Sequence, residues 1–271
     1  MTNSIPYWHV DAFSAQPFGG NQAAVMVLDE WLPDATLQSI GEENNFAETA
    51  FVVRDETGAS DWELRWFTPT DEVALCGHAT LASGHVLLTR DGGERVTFRT
   101  RKAGILEVVR ADSADNTDKG YELSLPLTLV EPKPLPDVVG ALGCTGETFL
   151  SHTGAEQTAI ILLESEAALR ALVPDMEALR SIDLMAICTA PGETTDIVSR
   201  VFVPAWGVDE DSVTGSAHAA LAPFWAERLG RVEFTAHQAS ARGGDLALRL
   251  DGDRAWLGGP CVTVVEGVFA L

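Results

Sequence analysis

Lysine is almost missing from this 271-residue chain, occurring only at Lys102, Lys119 and Lys133. Lysine and arginine together number 18 against 40 aspartates and glutamates, a formal net charge of −22. A surface of that sign repels phosphate backbones and anionic headgroups, so neither nucleic acid nor a membrane is expected as a partner. The acidic residues are scattered and read as a solvated surface, not a tail. No apolar run approaches the length of a membrane-spanning helix. No basic segment leads into an apolar one after Met1, so a cytoplasmic location is expected. The four cysteines, Cys76, Cys144, Cys188 and Cys261, show no paired spacing, so no disulfide framework is expected. Also missing are C-x-x-C, H-E-x-x-H, a P-loop, and G-x-G-x-x-G after a strand. Neither a metal nor a nucleotide cofactor is therefore expected.

What is present is a repeat. Asn21-Gln22-Ala23-Ala24-Val25-Met26-Val27-Leu28 matches Glu156-Gln157-Thr158-Ala159-Ile160-Ile161-Leu162-Leu163, 135 residues on. Arg65-Trp66-Phe67-Thr68-Pro69 matches Arg200-Val201-Phe202-Val203-Pro204 at the same offset, and Gly77-His78-Ala79 matches Gly215-Ser216-Ala217 at 138. Leu123-Ser124-Leu125-Pro126 resembles Leu257-Gly258-Gly259-Pro260 at 134. Common order and a near-constant offset predict two copies of one design.

The expected fold class is α+β: two pseudo-symmetric halves, each a curved, mostly antiparallel sheet wrapped around a central helix. Residues 1–126 form the first half, 127–260 the second, and 261–271 return to the first as a strand. Strands are expected at Tyr7–Phe13, Ala23–Leu28, Thr49–Arg54, Trp62–Phe67, Val96–Thr100, Ile105–Arg110 and Tyr121–Leu125. In one of them Trp62, Leu64 and Trp66 alternate with Glu63 and Arg65. Helices are expected at Pro33–Asn44, Gly77–Leu88 and Gly215–Leu229. The four prolines between Pro126 and Pro136 suggest a linker. Small residues on several faces of the second helix (Ala79, Ala82, Ser83, Gly84) suit close approach by the surrounding sheet.

The repeat puts His78 and Ser216 at equivalent places, each in the first turn of a central helix. Helix N-termini carry unpaired N–H groups and positive partial charge, so a pair of them facing a cleft is suited to a carboxylate. Gly77 and Gly215 let the backbone come close to a ligand, and their neighbours Cys76 and Thr214 are expected beside it. Glu48 follows a helix end and enters an apolar strand, where partial desolvation suits a carboxyl for proton transfer. Asp211 is the last carboxylate before Gly215; Asp209 and Glu210 read as solvated. Cys76 is either a thiolate activated by the helix start or a small buried apolar group. A two-thiol racemase needs a second cysteine, and the paired position holds Thr214. Zinc is disfavoured because Cys76 and His78 lie too close for the usual ligand spacings. Ser216 lacks a G-x-S-x-G elbow, which disfavours a serine hydrolase.

The stretches DAF…FGGNQAAV from Asp11, ENNFAETAFVV from Glu43, RWFTPTDEVALCGHATLAS from Arg65, GVDEDSVTGSAH from Gly207 and QASARGG from Gln238 together resemble the PhzF, or phenazine-biosynthesis-like, family over nearly the whole chain. The resemblance implies the diaminopimelate-epimerase-like fold, a homodimer, and isomerisation of a small carboxylate-bearing substrate without metal or cofactor. The best-known member acts on trans-2,3-dihydro-3-hydroxyanthranilate. The family's glutamate falls on Glu48 as proton shuttle, and its histidine, aspartate and serine fall on His78, Asp211 and Ser216. Gln22 and Ser212 stand where the family often has proline, and the wording is closer to its functionally unassigned branch. An amino-acid epimerase or racemase on the same scaffold, or a non-catalytic small-molecule binding protein, are the alternatives.

Overall fold

The structure is a computed structural model that describes residues 4–111, 120–153 and 157–271. Glu156, the first residue of the second repeat segment, lies outside them. The chain is mostly sheet with few helices, and it divides into two compact units, Met1–Leu125 with Gly258–Leu271, and Pro126–Leu257.

In the first unit the order is β1 (Ser4–Ala12), β2 (Asn21–Val27), α1 (Asp34–Asn44), β3 (Glu48–Arg54), β4 (Trp62–Phe67), β5 (Glu72–Val73), α2 (Gly77–Asp91), β6 (Arg95–Thr100), β7 (Ile105–Arg110) and β8 (Tyr121–Pro126). Cys261–Ala270 pairs antiparallel with β1, and β1 with β2. The sheet continues through β3, β4, β6, β7 and β8, with parallel steps only at β2–β3 and β4–β6. Helix α2 touches β1, β2, β3, β6, β7 and Cys261–Ala270, so the sheet curves around it.

That wrapping explains the composition of α2. Eleven of its 15 residues are buried, leaving little solvent face to carry charge. The hydroxyls of Thr80 and Ser83 turn inward, donating to the Cys76 and Ala79 carbonyls at 2.5 and 2.7 Å. Gly84 is small because β7 leaves no room: a Cβ there would lie 2.4 Å from Val108 Cγ1. Gly84→Ala should destabilise the protein by about 1–3 kcal/mol through overpacking, against a helix-propensity gain of about 1 kcal/mol. Urea denaturation checks this, and a midpoint at or above wild type would show that Val108 yields freely.

The second unit holds β9 (Val130–Pro132), α3 (Pro136–Leu142), β10 (Glu147–Ser151), β11 (Thr158–Leu162), α4 (Glu166–Arg170), α5 (Met176–Arg180), β12 (Met185–Pro191), β13 (Ile197–Val203), β14 (Val208–Asp211), α6 (Gly215–Leu229), β15 (Glu233–Gln238), β16 (Gly244–Asp251) and β17 (Arg254–Gly259); the C-terminal strand is β18 (Cys261–Ala270). The pairings run β9–β10–β11–β12–β13–β15–β16, parallel at β11–β12 and β13–β15. Helix α6 packs on β16. It also reaches β12 through Trp225 Nε1, which donates to Thr189 Oγ1 at 3.0 Å, and β13 through a 3.4 Å contact between His218 Nε2 and Ser199 Oγ.

Three local readings change. The proline-rich linker is structured: β9 pairs with β10, and Pro136 opens α3, where a missing N–H costs nothing. Arg65 does not face solvent. It is 3% exposed, and its Nε and Nη2 each donate to a Glu72 carboxylate oxygen at 2.8 Å, with Asp34 at 2.9 Å from Nη1. Glu210 is no free surface carboxylate either, since Arg200 holds it through two bonds of 2.8 and 2.9 Å. Both guanidiniums lie 5.0 Å over a ring two residues on, Phe67 and Phe202. Each unit thus builds the same Arg-x-Phe clamp on a bidentate glutamate, a geometry that neutralises a buried arginine. Among the described residues, no helix is long and apolar enough to cross a membrane.

Candidate functional site

Glu48 is the first residue of β3, and His78 lies in the first turn of α2. The parallel pairing of β3 with β2 sets Glu48 opposite Ala23, beside the Asn21–Gln22 end of β2. His78 is 3% exposed. Its Nε2 is 3.0 Å from Glu48 Oε2 and 3.2 Å from the Gln22 carbonyl, and its Nδ1 is 3.1 Å from Asn21 Nδ2. Nε2 thus faces both the Gln22 carbonyl and Glu48 Oε2, a buried carboxylate oxygen. A carboxylate oxygen paired with an imidazole in this way is placed to take up and give back a proton.

Cys76 completes the group, its Sγ 3.5 Å from His78 Nδ1 and 4.0 Å from Nε2. Burial, then the adjacent Glu48 charge, push its thiol up to about 11. The thiolate reading therefore gives way to a protonated, packed sulfur. For His78, burial alone would disfavour the imidazolium, but the Glu48 carboxylate beside the ring outweighs it and raises its pKa well above the ordinary 6.5. The folded pKa exceeds the unfolded one, so this group's stabilisation is complete below about 6.5 and is lost as pH rises through the raised value. Unfolding free energy should accordingly decline from pH 6.5 to 8 in wild type. In Glu48→Gln, which lacks the counter-charge, the decline should flatten or reverse. Parallel slopes in the two proteins would remove His78 as the cause.

In the second unit, Asp211 closes β14 and Thr214 precedes α6. Asp211 Oδ2 accepts from Thr214 Oγ1 at 2.5 Å and Oδ1 from the Ser212 N–H at 2.8 Å. Gly215 is buried and Ser216 half-buried in the first turn of α6. Neither Cys76 nor Thr214 makes a side-chain cap to its helix. Thus Glu48, Cys76, Gly77 and His78 come together in one unit, and Asp211, Thr214, Gly215 and Ser216 in the other. Asp183, the repeat partner of Glu48, instead accepts from Trp206 Nε1 at 2.8 Å. His218 is fully buried, with Nδ1 donating to the Thr214 carbonyl at 2.8 Å, and burial lowers its pKa to about 4.

Three residues here escaped sequence reasoning. Asn21 and Gln22 stood in a repeat segment, but nothing in their spacing tied them to His78. Gln238, also fully buried, accepts the Thr214 N–H at 2.8 Å and donates to the Asp211 carbonyl at 2.8 Å and to Thr214 Oγ1 at 3.2 Å. Its signal was the QASARGG block, noticed as a resemblance and not as a support for the Asp211–Thr214 turn. The zinc argument from spacing also missed a donor: Glu48, Cys76 and His78 bring three ligand atoms within 4.8 Å of one another.

The family described as phenazine biosynthesis-like protein matches residues 10–267. A Pseudomonas aeruginosa protein named as an uncharacterized isomerase is 46% identical over 98% of this chain and 99% of its own. The crystal structure of a PhzF-family protein from Enterococcus faecalis superposes with a TM-score of 0.88 at 40% identity, covering 99% and 100% of the two chains. A hydroxyproline epimerase from Agrobacterium vitis, 14% identical with a TM-score of 0.64 over 99% and 93%, shares the fold. By family match, identity and structure, the chain belongs to the phenazine biosynthesis-like (PhzF) family.

Proposed function

We propose that this protein is a cofactor-independent isomerase that moves a proton on a small carboxylate-bearing substrate, in the manner of the dihydro-hydroxyanthranilate isomerases of its family. The observation that carries the reading is the Glu48–His78 pair: a buried carboxylate oxygen 3.0 Å from an imidazole nitrogen at a helix start. Glu48 takes a proton from carbon beside an unsaturated system and returns it at another carbon. His78 holds the carboxylate in place and, as imidazolium, offsets the charge that develops. Asp211 and Ser216, with the Gly77 and Gly215 turns and Thr214, are assigned to binding the substrate's polar groups. Cys76 is assigned to packing against the imidazole.

The finer fold reading goes with it. Two pseudo-symmetric halves, each with a central helix, are supported by the duplicated arginine clamp and by α2 and α6 starting alike. A homodimer is part of the same proposal, and sedimentation velocity checks it. The test of function is a screen of small unsaturated carboxylic acids and amino acids in heavy water, wild type against Glu48→Gln. Deuterium entering a new carbon with a shifted double bond, dependent on Glu48, supports the isomerase. Deuterium at an α-carbon with loss of optical purity makes it an epimerase. Tight binding without exchange makes it a binding protein.

A further inference from the structure

We propose that Glu48, Cys76 and His78 also form a capture site for a thiophilic divalent cation, for which zinc is the best fit. A thiol, an imidazole and a carboxylate present donor atoms within 4.8 Å of one another. Oε2 of Glu48 is buried against the His78 ring, so both atoms are placed to share one cation. The separations are 3.0 Å from Oε2 to His78 Nε2 and 4.0 Å from Cys76 Sγ to Nε2. Tetrahedral zinc with bonds of about 2.0–2.3 Å needs donors about 3.3–3.7 Å apart. The observed spacings straddle that range, so binding requires Glu48 and Cys76 to shift toward a common centre.

The donor set also chooses the cation. Sulfur and imidazole nitrogen disfavour magnesium and calcium, which want oxygen ligands, and suit zinc or its spectroscopic substitute cobalt. Asn21, 2% exposed with Nδ2 3.1 Å from Nδ1, holds the ring so that Nε2 faces Glu48, while Cys76 Sγ reaches both ring nitrogens, at 3.5 Å from Nδ1 and 4.0 Å from Nε2. Three protein ligands leave a fourth position for water. Binding replaces the thiol proton with a sulfur–metal bond and clears Nε2 of its proton, both protons passing to solvent with no change in oxidation state. The consequence for activity rests on the function proposed above: a glutamate bound to zinc cannot carry a proton, so zinc would act as a reversible block. The binding itself does not depend on that reading.

The test is a titration of the full chain with cobalt(II), reduced and free of chelator. The expected result is a near-ultraviolet thiolate-to-cobalt band saturating at one equivalent and displaced by zinc. Cys76→Ser and Cys76→Ala should abolish the band, Cys144→Ser should keep it, and Glu48→Gln should weaken affinity at least tenfold. No band, a band surviving in Cys76→Ser, or wild-type affinity in Glu48→Gln overturns the site. Zinc is then added to the heavy-water exchange assay. Loss of exchange restored by chelation supports the block. Undiminished exchange with the band present overturns the shuttle role of Glu48 and leaves the cation site standing.

Discussion

Glu48→Gln should lower turnover on the true substrate by a factor of about 10²–10⁴, the usual loss when a positioned general acid–base is removed. The substitution is nearly isosteric, so the fold should persist. Glu48 is half-buried at the first position of β3, and its backbone pairing with Ala23 is untouched by the change. The amide can still face His78 but cannot accept a proton, which separates chemistry from packing. Glu48→Asp offers the complementary result. It retains a carboxylate but draws it back by one methylene, so activity should fall between wild type and the amide. Far-ultraviolet circular dichroism and the urea midpoint establish that the variants are folded. Wild-type turnover in a folded Glu48→Gln protein would sink the assignment.

Gln238→Ala should cost about 3–5 kcal/mol of stability, because two buried backbone groups lose partners worth about 1–3 kcal/mol each. One is the Thr214 N–H at the start of α6 and the other the Asp211 carbonyl. Thr214 Oγ1 also loses a donor while it remains committed to Asp211. The side chain sits at full burial, so a cavity adds to the loss. Gln238→Glu is the informative companion: it keeps an acceptor for Thr214 N–H but gives up the donor to Asp211 and brings a second carboxylate beside the first. Its stability should fall as pH rises through the carboxylate range, a slope that Gln238→Ala lacks. An alanine variant within about 0.5 kcal/mol of wild type, inside the range of an ordinary surface change, would mean that the turn is held by other bonds.

Much of this was legible along the chain. The alternation at Trp62–Phe67 and the glycine before each small-residue helix located β4, α2 and α6, because those signals are local: a period of two or a residue that starts a turn. The repeat pointed to His78 and Ser216 without any structure. The proline-rich stretch was misread because β9 is stabilised by β10, a partner fifteen residues or more away, and not by its own propensity. The burial of Arg65 was missed for a related reason. Arg65 occupies a polar slot in a regular alternation, and only Asp34 and Glu72, on other elements, make its burial tolerable.

What the sequence determined by itself was most strands and helices of the first half, the two small-residue helices, the duplicated motifs, the acidic composition and the identity of the groups able to do acid–base work. Only the tertiary structure decided which of those groups meet. Glu48 and His78 are thirty residues apart, and their 3.0 Å contact exists because β3 runs parallel to β2 while α2 lies against both strands. The same packing turned Cys76 from a reactive thiol into a buried one and supplied Asn21 and Gln22 as partners for the imidazole. Protonation and contact depend on burial and on neighbours from distant segments, and a linear pattern carries neither.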